Sequence, residues 1–498
     1  MLFNSIHFLW FFPVAVLGFY LIFPKRIRYI WLLACSYYFY MAWNPRYALL
    51  MLTSTVLTYL GSLLLGSRSL TSAGPALRKA ILFLTVVANL GILVYFKYSN
   101  FLLDEIGRLL SVADISLTMP TVDVILPVGI SFYTFQALSY SIDVYRNEVQ
   151  VEKNFLKYAL FVSFFPQLVA GPIERTSQLL GQIRTISDRK IDVQKMYHGL
   201  VLMLWGLFMK MVIADRIVVV VDTVFDRYYT YGGTALMLAA IAFAIQIYCD
   251  FSSYSTIAIG AAEVLGFSLM ENFAAPYLAG SVKEFWSRWH ISLSTWFRDY
   301  LYIPLGGNRC SKLRHYRNIL ITFLVSGLWH GASLNFIVWG GIHGALQILE
   351  NAAAPLVRKI NLKFSVKTDC FSYKAAKVVK TFILVDLAWI FFRAPGLGVA
   401  VDYIRRIVLD FDPWALSQEV IYTLGLDRNE IGVLFMALLV LLVADFLKYF
   451  KKQSIVDALL DQNILFQYLC ITILVLSLFI FGAYGPAFDA QAFICFQF

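Results

Sequence analysis

The chain has 498 residues, 60% of them hydrophobic and only 14% charged, with a mean hydropathy of +0.70. An ordinary soluble domain carries roughly 25% charged residues, so a soluble globular fold is excluded and an all-α polytopic membrane protein is expected. The 41 Lys+Arg against 31 Asp+Glu give a formal charge of +10, which in such a chain reflects membrane topology, and no nucleic-acid partner is expected.

A hydrocarbon core of about 30 Å asks for roughly 20 apolar residues of helix. Apolar runs meeting or approaching that length fall at 7–23, 29–43, 47–66, 80–98, 124–142, 155–170, 196–214, 234–251, 318–350, 379–393, 431–449 and 464–486, with 318–350 long enough for two helices. The first run lacks a basic region before it and a small-residue cleavage site after it, so it reads as a retained helix, and no water-soluble domain is expected on either side of the membrane region. Lys25, Arg26 and Arg28 follow that run. By the positive-inside rule their loop is cytoplasmic and the N-terminus is extracytoplasmic.

Alternation then brings Arg68, Arg78 and Lys79 inside and leaves Asp104, Glu105, Asp114 and Asp123 outside. The run at 155–170 has basic flanks on both sides, Arg146 and Lys153 before it and Arg175, Arg184 and Arg189 after it, and is therefore read as re-entrant. No internal repeat or low-complexity linker interrupts the chain. It reads as one integral-membrane domain over 1–498, with N-terminal helices at 1–123, a core at 124–350 and C-terminal helices at 351–498. The cysteines, Cys35, Cys249, Cys310, Cys370, Cys470 and Cys495, form no CxxC pair, so neither a metal site nor a disulfide framework is expected.

Between residues 270 and 317 the chain is neither a clean span nor a hydrophilic loop. On a helix from Lys283 to Tyr300, Trp286, Trp289, Leu293, Trp296 and Tyr300 share one stripe, and Lys283, Ser287, His290, Ser294 and Arg298 share the next. One reading is an interfacial helix with tryptophans at headgroup level and cations on anionic lipid. The other adds that His290, with Lys283, Arg288, Trp289 and Arg298, lines a cytoplasmic mouth that meets a negatively charged donor.

The run at 318–350 contains His330 and His343. An ionisable ring in lipid is costly, so such residues face a bundle interior or a water-filled path. His330 lies beside Trp329 and Gly331, with Ser326 and Gly327 just before; small residues admit a close neighbour and an indole walls off solvent. Ser326 and Trp329 are therefore candidate cavity-lining residues, while His343 reads as a packed, hydrogen-bonded ring. Lys210, Asp215, Asp250, Asp386 and Asp445 interrupt other apolar runs and are expected to pair with one another or with helix ends. Asp250, followed by Ser252, Ser253, Tyr254 and Ser255, suits a wet cavity equally well. Pro127, Gly129, Pro166, Gly171 and Pro172 break helices, which points to an irregular interior. There is no GxxxxGK[ST], GxSxG or HExxH motif, so ATPase, hydrolase and zincin chemistries lack support.

The sequence EFWSRWHISLSTWFRDYLYIPLGGNR (284–309) followed by GLWHGA (327–332) closely resembles the membrane-bound O-acyltransferase (MBOAT) family, in its bacterial alginate O-acetylation branch. Supporting stretches are PVGISFYTFQALSYSIDVYR (127–146), AGPIER (170–175), DFSSYSTIAIGAAEVLGF (250–267) and WIFFRA (389–394). The resemblance implies that His330 matches the family's catalytic histidine and His290 the second histidine associated with activity. It further implies a ring of about 11 to 13 transmembrane and re-entrant helices around a thin central funnel.

The activity so implied is transfer of an acyl group, acetyl above all, from a cytoplasmic thioester towards O-acetylation of an extracytoplasmic polysaccharide. Acetyl-CoA would be a donor substrate, its phosphates drawn to Lys283, Arg288 and Arg298, and no permanently bound cofactor is expected. The family's example adds an extracytoplasmic SGNH-type acyltransferase as partner and places the chain in a bacterial cytoplasmic membrane. Two alternatives stand beside this reading: D-alanyl transfer for teichoic acid modification, with an acyl carrier protein on the cytoplasmic face, and, from another class, a transporter or channel lined by His330 and Asp250.

Overall fold

The computed structural model describes residues 1–67, 74–115, 120–122 and 126–483. Arg68, Asp123, Cys495 and the ends of the runs at 124–142 and 464–486 lie outside the described residues. Among the described residues the regular structure is helical, with no strand. The helices are α1 (Ile6–Leu17), α2 (Arg28–Met41), α3 (Pro45–Leu65), α4 (Pro75–Val112), α5 (Ile130–Tyr145), α6 (Phe155–Ser163), α7 (Thr176–Arg184), α8 (Val193–Phe208), α9 (Asp215–Phe225), α10 (Gly233–Val264), α11 (Val282–Arg288), α12 (Ile291–Phe297), α13 (Lys312–His330), α14 (Leu334–Lys363), α15 (Phe371–Arg393), α16 (Leu397–Leu409), α17 (Arg428–Phe446), α18 (Ile455–Leu460) and α19 (Ile464–Phe481).

Among the described residues five helical segments are long and apolar enough to cross a membrane: 45–65, 75–112, 233–264, 428–451 and 464–481. Three of them, 75–112, 428–451 and 464–481, bury little of their surface within the protein, and the last two carry exposed Phe435, Met436, Leu465, Phe479 and Ile480. With no water in the bilayer to satisfy a backbone, lipid-facing apolar helices of this kind are what a multi-pass membrane protein requires. The run at 318–350 is two helices, as its length predicts, broken at 331–333 between α13 and α14.

Contacts divide the chain into one unit of Met1–Met203 with Ile257–Met270 and a second of Leu204–Thr256 with Glu271–Phe498. In the first unit small and hydroxyl residues let helices approach. Tyr158 of α6 donates to Thr58 of α3 at 2.7 Å, Ser54 donates to Asn89 across α3 and α4 at 2.7 Å, and a Cβ at Gly199 of α8 would lie 2.6 Å from Gly260 O of α10. Helix α6 has nine residues, about 14 Å of rise, too short to cross about 30 Å of hydrocarbon. The buried, irregular stretch 164–175 follows it.

In the second unit α13 and α14 form a tight antiparallel pair. A Cβ on Gly327 would overlap the carbonyl of Phe336, and one on Gly340 would overlap that of Phe323, so the two backbones meet where neither carries a side chain. The aromatic core around them includes Trp286, Trp289, Trp339, Trp389 and Phe392, all buried.

The continuous helix expected from Lys283 to Tyr300 does not form. It is split into α11 and α12 by His290, whose backbone is left-handed at φ 44°, and it ends in a π-turn at Arg298–Tyr302. The physical reason is a competing set of backbone bonds. Ala274 N–H donates to Arg288 O at 3.0 Å and Ile291 N–H to Asn272 O at 3.0 Å, so the extended segment 272–274 takes up groups that a helix would have used internally.

Candidate active site

All the geometry of this site lies in the second unit. Helix α11 is capped by Ser281, whose hydroxyl accepts from Glu284 N–H at 3.1 Å, and ends at Arg288, just before His290. The left-handed residue turns the imidazole inward, where it is fully buried. Asn272 fixes its protonation pattern. The amide oxygen of Asn272 accepts from Ser292 N–H at 3.1 Å and from Ser292 Oγ at 2.7 Å, which assigns the oxygen to that side. His290 Nδ1 faces the same oxygen at 3.3 Å and is therefore the N–H donor. In the neutral ring the basic nitrogen is then Nε2. Burial holds this imidazole well below its ordinary pKa range, and the neighbouring His330 pushes the same way.

His330 is the last residue of α13, half-buried where the chain turns through Gly331 towards α14. A Cβ on Gly331 would overlap the Phe336 ring, so this corner has room only for glycine. The two imidazole centroids are 6.5 Å apart. Around His330 stand Trp329 at 5.0 Å, Trp339 at 5.1 Å and Phe392 at 5.6 Å between ring centroids, all edge-on. Phe251 meets the His290 ring edge-on at 4.6 Å. The arrangement is two imidazoles at two helix ends, in a largely apolar wall, with the tautomer of one fixed by an amide. It is suited to accepting and passing a proton. Among the described residues no three His, Cys, Asp or Glu side chains are grouped to hold a metal ion.

Of the residues singled out from the sequence, His290, His330 and Trp329 come together here, and Ser326 is buried one turn before His330 on α13. Trp289 belongs to the neighbouring core, packed on Trp389 at 5.1 Å and stacked on Phe285 at 5.5 Å. The cations are engaged differently. Arg288 bonds Glu284 at 2.9 Å and Ala274 O at 3.0 Å and covers the Tyr449 ring at 4.5 Å, whereas Arg298 pairs with Asp299 at 2.7 Å and is more than half exposed. Lys283 is exposed on α11.

Asp250 is paired rather than solvated. Lys210 Nζ lies between Asp250 and Asp215, 2.8 Å from the latter, so the two buried carboxyls share one ammonium in a triad. Asp445 accepts from Tyr248 at 2.7 Å, and His343 accepts the Trp286 indole N–H at 3.2 Å, the packed ring its context suggested. Sequence reading missed Asn272, Trp339, Phe251 and Phe392. The first carried a faint signal, an amide in an otherwise apolar stretch; the others were indistinguishable from core aromatics.

The chain matches the model of the membrane-bound O-acyltransferase family over residues 38–384. It is 40% identical over 447 residues to the probable alginate O-acetylase AlgI of Pseudomonas aeruginosa, covering 89% of this chain and 81% of that one. It is 34% identical over 444 residues to the peptidoglycan O-acetyltransferase of Helicobacter pylori, covering 82% and 80% respectively. It is 27% identical over 244 residues to the teichoic acid D-alanyltransferase of Streptococcus thermophilus, covering 47% and 59%.

Proposed function

This chain belongs to the membrane-bound O-acyltransferase family and is an acyltransferase, and from that premise we propose that it moves an acetyl group from a cytoplasmic thioester towards a hydroxyl of an extracytoplasmic polysaccharide, with His330 as general base. The observation that carries the reading is the pairing of His330 with a neutral His290 at 6.5 Å within an apolar wall. His330 takes the proton of the acceptor hydroxyl as the oxygen attacks the thioester carbonyl. The tetrahedral intermediate collapses with departure of the thiolate, which recovers a proton. His290, held by Asn272, positions the donor or passes that proton.

The donor is acetyl-CoA, whose phosphates suit the exposed Arg298 and Lys283 better than Arg288, which is committed to Glu284. The acceptor side is completed by an SGNH-type acyltransferase outside a bacterial cytoplasmic membrane, with the N-terminus of this chain on that same side. Acetyl is favoured over D-alanyl because the two O-acetylating relatives match more than four-fifths of the chain and the D-alanylating one less than half.

The test is reconstitution with labelled acetyl-CoA. A positioned general base contributes about 100- to 10,000-fold, so His330→Ala should lose about that much transfer. A folded His330→Ala protein with full activity overturns the assignment, and activity with a charged carrier protein but none with acetyl-CoA overturns the donor.

A further inference from the structure

Helices α14 and α15 run on past their apolar runs. The apolar run in α14 ends at Glu350, that in α15 resumes near Val379, and the chain between them is a helical hairpin with its tip at 364–370. All of 351–360 and 362–372 is exposed. The arms touch through Asn361, which donates to Tyr373 Oη at 3.0 Å, and through the Glu350–Lys380 ion pair at 3.2 Å.

The exposed surface of the hairpin is of two kinds. Leu349, Ala353, Leu356 and Ile360 make one stripe at helical spacing along α14, and the stripe runs on towards Phe364 at the tip. Leu356, Leu362, Phe364 and Phe371 are 60%, 71%, 68% and 83% exposed. Interleaved with them are Arg358, Lys359, Lys363, Lys367, Lys374 and Lys377, opposed by Asp369, since Glu350 is already paired with Lys380. Large apolar side chains beyond the hydrocarbon would be costly in water, and this many cations on one tip would repel one another. A bilayer surface resolves both conflicts. Rings and branched chains sink to the acyl boundary, and ammonium groups, on stems that reach several ångströms, meet headgroup phosphates. The apolar stripe also continues without a break from Leu349 at the end of the apolar run, so the exposed apolar face extends that run.

We propose that the 351–380 hairpin is a binding surface for anionic phospholipid, lying along the membrane interface with Phe364 and Phe371 inserted and its lysines on the phosphates. This goes beyond acyl transfer and does not depend on it. An acidic soluble protein would account for the cations, but not for an apolar stripe continuous with the apolar run of α14.

Cys370, exposed at the tip, provides the probe. The full chain, with Cys310, Cys470 and Cys495 replaced by Ser and the buried Cys35 and Cys249 kept, is labelled there with an environment-sensitive fluorophore. It is placed in nanodiscs of phosphatidylcholine alone or with added phosphatidylglycerol, with brominated acyl chains as quencher. Blue-shifted emission and quenching are expected in the anionic discs, weakening as salt rises. Each of Lys359, Lys363, Lys374 and Lys377 changed to Gln should lower the interfacial partition about fivefold, since a cation near the surface contributes about 1 kcal/mol. Phe364→Ser with Phe371→Ser should have a like effect at unchanged charge. A water-like, unquenched label in anionic discs, equal quenching in both lipids, or shielding that appears only when an acidic carrier protein is added would each overturn the proposal.

Discussion

The amide of Asn272 takes bonds from the backbone and hydroxyl of Ser292 and faces His290, so one side chain sets the tautomer of an imidazole in the candidate site. Asn272→Ala should lower kcat by about tenfold or more with little change in KM for the donor, because the imidazole loses the partner that fixes its tautomer. It should also destabilise the protein by roughly 1–3 kcal/mol through the groups left unpaired. Steady-state kinetics together with thermal unfolding separate the two effects. Glu174, in the buried stretch after α6, offers a pH test. Burial raises its pKa from 4.5 to about 7, against the opposing pull of the Met270 N–H and of Arg175. Between about pH 4.5 and 7 the folded protein therefore holds a proton that the unfolded chain has released, so stability falls as pH rises through that window and is level above it. The loss amounts to roughly 3 kcal/mol. Glu174→Gln should remove that slope, and unfolding of the purified protein across the window reads it. Neither residue could be singled out from composition, because an Asn or Glu in a helix-poor stretch has many ordinary roles.

Helix existence was legible from apolar periodicity, while helix interruption was not. The runs at 47–66 and 431–449 became helices with ends displaced by a few residues, whereas 80–98 and 234–251 lie within longer helices, 75–112 and 233–264, that continue well past the expected ends. The segment from Lys283 to Tyr300 had an equally good helical stripe and yet breaks at His290. A left-handed non-glycine residue costs about 1–2 kcal/mol, and what sustains it are bonds to residues 272–274, about one and a half dozen positions away, which a local pattern does not contain. The crossing of α13 and α14 belongs to the same scale. The small residues around His330 signalled close approach, and the structure supplies the partner, Gly340 against Phe323 and Gly327 against Phe336. Gly340→Leu should force these helices apart and cost about 1–3 kcal/mol or more. Because His330 ends α13, acetyl transfer should fall further than stability alone accounts for. Measuring both in one detergent-solubilised sample decides it, and unchanged activity would mean that the crossing does not hold the site.

For the molecule as a whole, charge distribution predicts an orientation that labelling can read. A tag at Met1 should be reached by a non-permeant reagent in intact cells, while Cys370 should react only after permeabilisation; the reverse pattern would invert the topology. Composition alone required a multi-pass helical protein, since a chain this apolar has to satisfy its backbone internally within lipid. The order of its motifs was enough to place it among O-acyltransferases and to name two histidines. Those properties are carried by residue identity and spacing along the chain. Which groups surround the histidines was fixed by folding: the Asn272 clamp, the Trp339 and Phe392 wall, and the Lys210 triad that turns Asp250 from a cavity candidate into a paired charge. Such contacts join positions tens of residues apart, and a burial or a hydrogen bond between them exists only once the helices have packed.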